Sequence, residues 1–150
     1  MYLVVKRPGS KNPILHHLVA LPLVWLPIIA VLIADIFLEL YHRIAFPIYG
    51  IPYVKRSQYI RIGDRAKLPY LSWHEKIGCM YCGYVNGWLH YASVIAGTTE
   101  TYFCSIMHLE SRGYIPTEHE KSFMKYGDEA ALKKRYSMHE QKFGSKKPEA

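Results

Sequence analysis

A chain of 150 residues, half of them hydrophobic and 13 of them tyrosine, suits one small domain with an appendage and is too apolar for a disordered polymer. Its formal net charge of +7 is spread along the whole length, which favours anionic lipid headgroups as the contact and speaks against a dedicated nucleic-acid groove. Three cysteines rule out a fully paired disulfide framework within one chain, so metal binding or free thiols are the roles expected of them.

Residues 1–13 form a short basic head carrying Lys6, Arg7 and Lys11. No Asp, Glu, Lys or Arg occurs from Asn12 to Ala34, and the apolar run continues through Ile36, Phe37 and Leu38. A spanning helix needs about 20 mainly apolar residues, so residues 14–40 are expected to form one N-terminal transmembrane helix. No small-x-small site follows the apolar core closely, which favours an uncleaved anchor over a removed signal peptide. Pro22 and Pro27 each remove a backbone donor and should kink the helix, with a partly re-entrant segment as the alternative. Asp35 and Glu39, one turn apart at its far end, should reach the interface or face a partner. His16 and His17 read as interfacial; a haem would need one of them as axial ligand, and nothing else in the span offers a second.

Residues 41–71 are punctuated by Pro47, Gly50, Pro52, Gly63 and Pro69. Tyr41, Tyr49, Tyr53, Tyr59 and Tyr70 alternate there with Lys55, Arg56, Arg61, Arg65 and Lys67, the mixture expected of an interfacial loop in the headgroup layer. Single-stranded nucleic acid would accept the same mixture, but the neighbouring anchor already accounts for it, so no nucleic acid is expected. A short strand fits Gln58 to Ile62.

Residues 72–143 read as a small helical domain with charged tail helices. Ser72 and Glu75 make a capping box that starts a helix into Cys79. A second helix fits Tyr84 to Ala96, ended by Gly97, and a third fits Glu100 to Leu109. Thr117 and Glu120 form another capping box, Gly127 breaks the chain, and Asp128 caps a last helix to about Phe143. Residues 144–150 are a frayed tail.

All three cysteines fall in this part. Cys79 and Cys82 stand two residues apart, and Cys104 stands four before His108, one turn if that segment is helical. Cys79, Cys82, Cys104 and His108 together make the ligand set of tetrahedral zinc or mononuclear iron. Three buried thiols, or a redox pair at Cys79 and Cys82, are the competing readings. Asn86-Gly87 is expected in a knuckle beside the thiolates, Glu100 as the first-turn acid of the third helix, and His74 or His90 as substitutes for His108. No nucleotide loop, Ser-His-Asp arrangement or paired-carboxylate pattern supports an enzyme.

From Leu68 to Tyr126 the chain resembles a family of small, uncharacterised bacterial single-span membrane proteins, through Leu68-Pro69-Tyr70-Leu71, Cys79 to Tyr84, Asn86-Gly87, Thr99-Glu100 and Cys104 with His108. The resemblance carries no activity; Ser105 stands where the family pattern has proline. The fold expected is mainly α: one N-terminal transmembrane helix followed by a small helical domain built round a Cys/His cluster. The function expected is that of a membrane-anchored, metal-binding accessory or assembly protein. The alternative is an adaptor subunit that docks on a larger membrane protein complex and buries its cysteines. Basic residues balance across the anchor, whereas thiols that must stay reduced favour a bacterial inner membrane with the C-terminal domain in the cytoplasm.

Overall fold

A computed structural model describes residues 13–144. Those residues are mainly helical and form no strand beyond one isolated parallel bridge between Ile106 and Met124. The basic head, the frayed tail beyond Gly144 and the side chains of His16 and His17 lie outside the described residues. Helix α1 covers Pro13–Trp25 and α2 covers Pro27–Tyr49. Helix α3 covers Trp73–Phe103 and α4 covers Glu129–Gly144, with 3-10 turns at Arg56–Gln58, Arg65–Lys67 and His119–Ser122.

Where the prolines are expected to kink the helix, the run is interrupted at Leu26: α1 ends and Pro27 opens α2 in its first turn, a position that needs no amide hydrogen. Leu26 N–H still bonds Pro22 O at 3.0 Å and Ile29 N–H reaches Leu26 O at 3.3 Å, so backbone bonds cross the interruption. Leu18–Tyr49 is a 32-residue run long and apolar enough to cross a membrane by length and composition. It continues to Tyr49, past the expected end at residue 40. The stop is Gly50, at φ 66°, where Ile51 N–H reaches Phe46 O at 2.8 Å and Gly50 N–H reaches Pro47 O at 3.2 Å. This paired closure needs the left-handed conformation that glycine adopts freely, and the side chains of Ile51 and Phe46 seal it in the core.

The largest departure from expectation is α3. One 31-residue helix replaces the three short ones, and it runs through Gly97 without a break. Its start is as expected: Ser72 N–H bonds Glu75 Oε2 at 2.9 Å and Ser72 Oγ bonds the same oxygen at 2.5 Å. Gly83 and Gly87 lie inside it because the return segment crosses there. A Cβ at Gly83 would stand 2.5 Å from Arg61 O, and one at Gly87 would stand 2.7 Å from Tyr59 O. The Asn86-Gly87 knuckle and the strand over Gln58 to Ile62 are therefore replaced by a backbone-on-helix crossing. Two glycines four apart give the flat face that such close approach requires.

The chain divides into two compact units, one through Ile95 and one from Ala96 onward. The first is built round buried Phe46, Ile51, Tyr91 and Ile95, with Leu38, Tyr41, Val54, Tyr59 and Ile60 against them. In the second, the chain leaves α3 at Phe103 to pair residues 105–107 with Met124, through Met124 N–H to Ser105 O at 2.9 Å and Met107 N–H to Met124 O at 2.8 Å. Asp128 caps α4 as expected, accepting Ala131 N–H at 2.9 Å.

Candidate functional site

Helix α2 turns one stripe, Val31, Asp35, His42 and Phe46, into the first unit. The polar members of that stripe are tied to residues far along the chain. Arg56 grips Asp35 through two nitrogens, Nη1 at 2.5 Å and Nη2 at 2.6 Å, and gives Glu39 a further bond at 3.2 Å. Tyr84 Oη donates to Asp35 at 2.7 Å, and Tyr91 Oη donates to Glu39 at 2.7 Å. His42 is wholly buried, and its Nε2 accepts Val54 N–H at 3.2 Å. Its ring proton must then sit on Nδ1, 3.0 Å from Tyr91 Oη, so the imidazole donates to the tyrosine that donates to Glu39. The Tyr53 ring stacks on the imidazole with centroids 4.3 Å apart.

Charge dictates the protonation of this cluster. The Asp35 carboxylate beside Arg56 raises the guanidinium's already high pKa. Burial, reinforced by acceptor carboxylates, raises the phenols of Tyr84 and Tyr91. All the donors stay protonated at neutral pH, so the cluster is a set of fixed bonds.

The expected ligands are distributed as follows. Cys79, half-buried, and exposed Cys82 lie on α3 in the first unit. Cys104 and His108 belong to the second unit, where Cys104 is exposed just past α3 and His108 follows in non-helical chain. The helical face expected to join Cys104 to His108 is absent: residues 104–110 are non-helical, with 105–107 committed to the Met124 pairing. Nor are the thiols the buried ones of the adaptor reading, since Cys79 is half-buried and Cys82 and Cys104 are exposed. Cys82 instead lines a cleft of about 380 Å³ with Tyr59, Arg61, Arg65, Asn86 and His90. Cys104 lines a second cleft of about 300 Å³ with Tyr102, Leu132, Arg135 and Tyr136. His74 meets Ser72 Oγ at 3.1 Å, and the His90 and Tyr59 rings stand nearly perpendicular with centroids 4.9 Å apart.

Among the described residues, the metal-capable group that does gather is Glu100, His119 and Glu120, with ligand atoms within 4.8 Å of one another. Glu100 sits in the last turn of α3 rather than opening a third helix, and its Oε2 lies 2.8 Å from His119 Nε2. Gly97 makes room for that imidazole: a Cβ there would stand 2.6 Å from His119 Nδ1. Glu120, only 5 % exposed, accepts from Thr117 Oγ1 at 2.7 Å and from Tyr114 Oη. Those donors hold the Glu120 carboxyl below its usual value, the Tyr114 bond first, and Tyr114 itself is pushed up to about 12 by the same bond.

The sequence marks Asp35 and Glu39 as wanting a partner but places Arg56 among headgroup contacts. The spacing 35, 39, 42 along an apolar helix is the signal that one face is polar. Comparison with protein-family models, with curated proteins and with solved structures finds no match to the chain.

Proposed function

We propose that the chain is a membrane-anchored interaction subunit, in which the apolar helix holds the protein to a lipid bilayer and the polar units serve a larger membrane protein complex. The observation that carries this reading is the Arg56 clasp. Asp35 and Glu39 are both engaged by arginine and tyrosine, an arrangement that fastens a polar unit to an apolar helix and presents no poised acid, base or nucleophile. Membranes washed with carbonate at high pH should keep the protein in the pellet. Release into the supernatant would refute the anchor.

The second reading is a metal-binding accessory protein. Its specific support is the Glu100, His119 and Glu120 group, whose mixed carboxylate and imidazole donors suit a divalent ion such as zinc. Cys79, Cys82, Cys104 and His108 remain the softer alternative set, for zinc or mononuclear iron. Elemental analysis of detergent-purified protein separates the two. One ion per chain, lost in Glu100→Gln with His119→Ala, supports the carboxylate group; one ion lost in Cys79→Ser with Cys82→Ser supports the cysteine set. Metal far below one per chain leaves the interaction subunit.

A further inference from the structure

In the first unit the contacts of α3 climb α1 and then α2 in the same order. Tyr81 Oη bonds Val24 O, Tyr84 reaches Asp35, Tyr91 reaches Glu39 and His42, and Ile95 joins Phe46 in the core. The two helices therefore run in the same direction, and the chain between them must come back along them. It does: Val54 meets His42, Arg56 meets Asp35, and the carbonyls of Tyr59 and Arg61 lie against Gly87 and Gly83. This return segment carries Lys55, Arg61, Arg65 and Lys67, all exposed and with side chains that make no ion pair among the described residues, while the one carboxylate among them, Asp64, accepts the Arg65 backbone N–H at 2.7 Å.

That order conflicts with a transverse α2. If the bilayer normal ran along the helix, the return segment with Lys55 and Arg56 would lie beside Asp35 to Phe46, and Tyr81 of α3 beside Val24, at hydrocarbon depth, where charge and non-helical backbone are costly. The stretch free of such neighbours, Pro13 to Leu23, would cover only about 17 Å at 1.5 Å per residue, against about 30 Å of hydrocarbon. The opposite face of α2 has the reverse character. Ile33, Ile36, Phe37, Leu40, Ile44 and Ile48 are between 54 % and 72 % exposed and carry no polar atom on their side chains. One face is thus bonded to a basic, hydrated segment, and the other is bare hydrocarbon over the same turns.

We infer that α2 lies along the membrane surface, its bare face sunk among the acyl chains and its clasped face toward water, so that both ends of the chain are on one side of the bilayer. The partner is an anionic lipid surface. Apolar burial along the helix holds the face down, and the four exposed cations, which outnumber the single carboxylate of Asp64 beside them, match a negative headgroup layer. This rests on the membrane-anchored reading above and replaces only its geometry.

The test uses the full chain in sealed vesicles, with one epitope tag at each end. Both tags should be reachable from the same side before permeabilisation; tags on opposite sides would overturn the in-plane helix while leaving the anchor intact. In a background of Cys79→Ser, Cys82→Ser and Cys104→Ser, nitroxides at Ile36→Cys and Ile44→Cys should report one shallow depth. A transverse helix would instead separate them by about 12 Å, eight residues at 1.5 Å each, which would refute the proposal. Dipolar broadening between labels on two copies, or labels sensing water alone, would show that protein or solvent covers the face and would refute it too. Protein absent from the membrane fraction would remove the anchor and the in-plane seat together.

Discussion

Arg56 holds Asp35 across 21 positions of sequence, with two guanidinium nitrogens on two carboxylate oxygens at 2.5 and 2.6 Å. The pair is only partly open to solvent, and Glu39 shares the same guanidinium. Removing the arginine leaves the Asp35 carboxylate on an apolar helix with no cation, while Glu39 keeps Arg43 at 2.9 Å. Arg56→Ala should destabilise the first unit by roughly 3 kcal/mol, the usual cost of stranding a buried charge. Arg56→Lys should recover only part of it, because an ammonium cannot reproduce the planar two-point grip. Denaturant unfolding in detergent reads both. An Arg56→Ala protein as stable as the parent would mean that the clasp is ornamental.

Tyr91 makes a second, separable prediction. Its hydroxyl stands between His42 Nδ1 and Glu39 Oε1 in a wholly buried position. Tyr91→Phe keeps the ring in the core but leaves the imidazole N–H and one carboxylate oxygen without that partner, a loss of about 1–3 kcal/mol. Combining it with Glu39→Gln should be less than additive, since the two changes damage one bond. Full additivity would show that the hydroxyl acts elsewhere.

How far these features can be read from the sequence differs with their range. The interruption at Leu26, the cap of α3 at Ser72 and the cap of α4 at Asp128 are local, and residues within four positions decide them. The end of α2 is harder to place because the apolar composition thins after Leu40, while the helix obeys the buried stripe through His42 and Phe46 to the glycine closure at Gly50. The glycines of α3 mislead more seriously. Gly97 looks like a stop, yet it is bare because His119 packs over it, and Gly83 and Gly87 are bare because the carbonyls of Arg61 and Tyr59 press on them. None of those neighbours can be seen in a window of sequence. The cysteine spacing suggests a four-ligand cage, but that reading presumes three short helices, and one continuous helix, α3, stands in their place up to Phe103.

The glycines allow a prediction in which the sign itself is the test. A Cβ added at Gly78 would meet nothing within 4 Å, so Gly78→Ala should stabilise α3 by about 0.5–1 kcal/mol through backbone entropy alone. Gly83→Ala places its methyl group 2.5 Å from a backbone carbonyl and should cost about 1–3 kcal/mol despite the same gain in helix propensity. Two glycines five residues apart on one helix should therefore move the melting temperature in opposite directions. If both alanines stabilise, the return segment does not lie on α3.

The bond between Tyr114 and Glu120 should shape stability at both ends of the pH scale. Because Tyr114 and Thr117 hold the Glu120 carboxyl below its ordinary value, the folded state binds that proton less tightly than the unfolded chain. Its stabilisation is then complete above the ordinary carboxylate range and is lost as pH falls through the lowered value. Tyr114 has the opposite sign. Its phenol is raised from 10 to about 12, so its contribution is complete below pH 10 and disappears between 10 and 12, where only the unfolded chain would ionise freely. Tyr114→Phe should flatten the stability profile over both windows while leaving its slope near neutrality unchanged. Unfolding measured across pH for parent and variant decides the matter, and profiles that stay parallel from acid to alkali would rule the bond out as the cause.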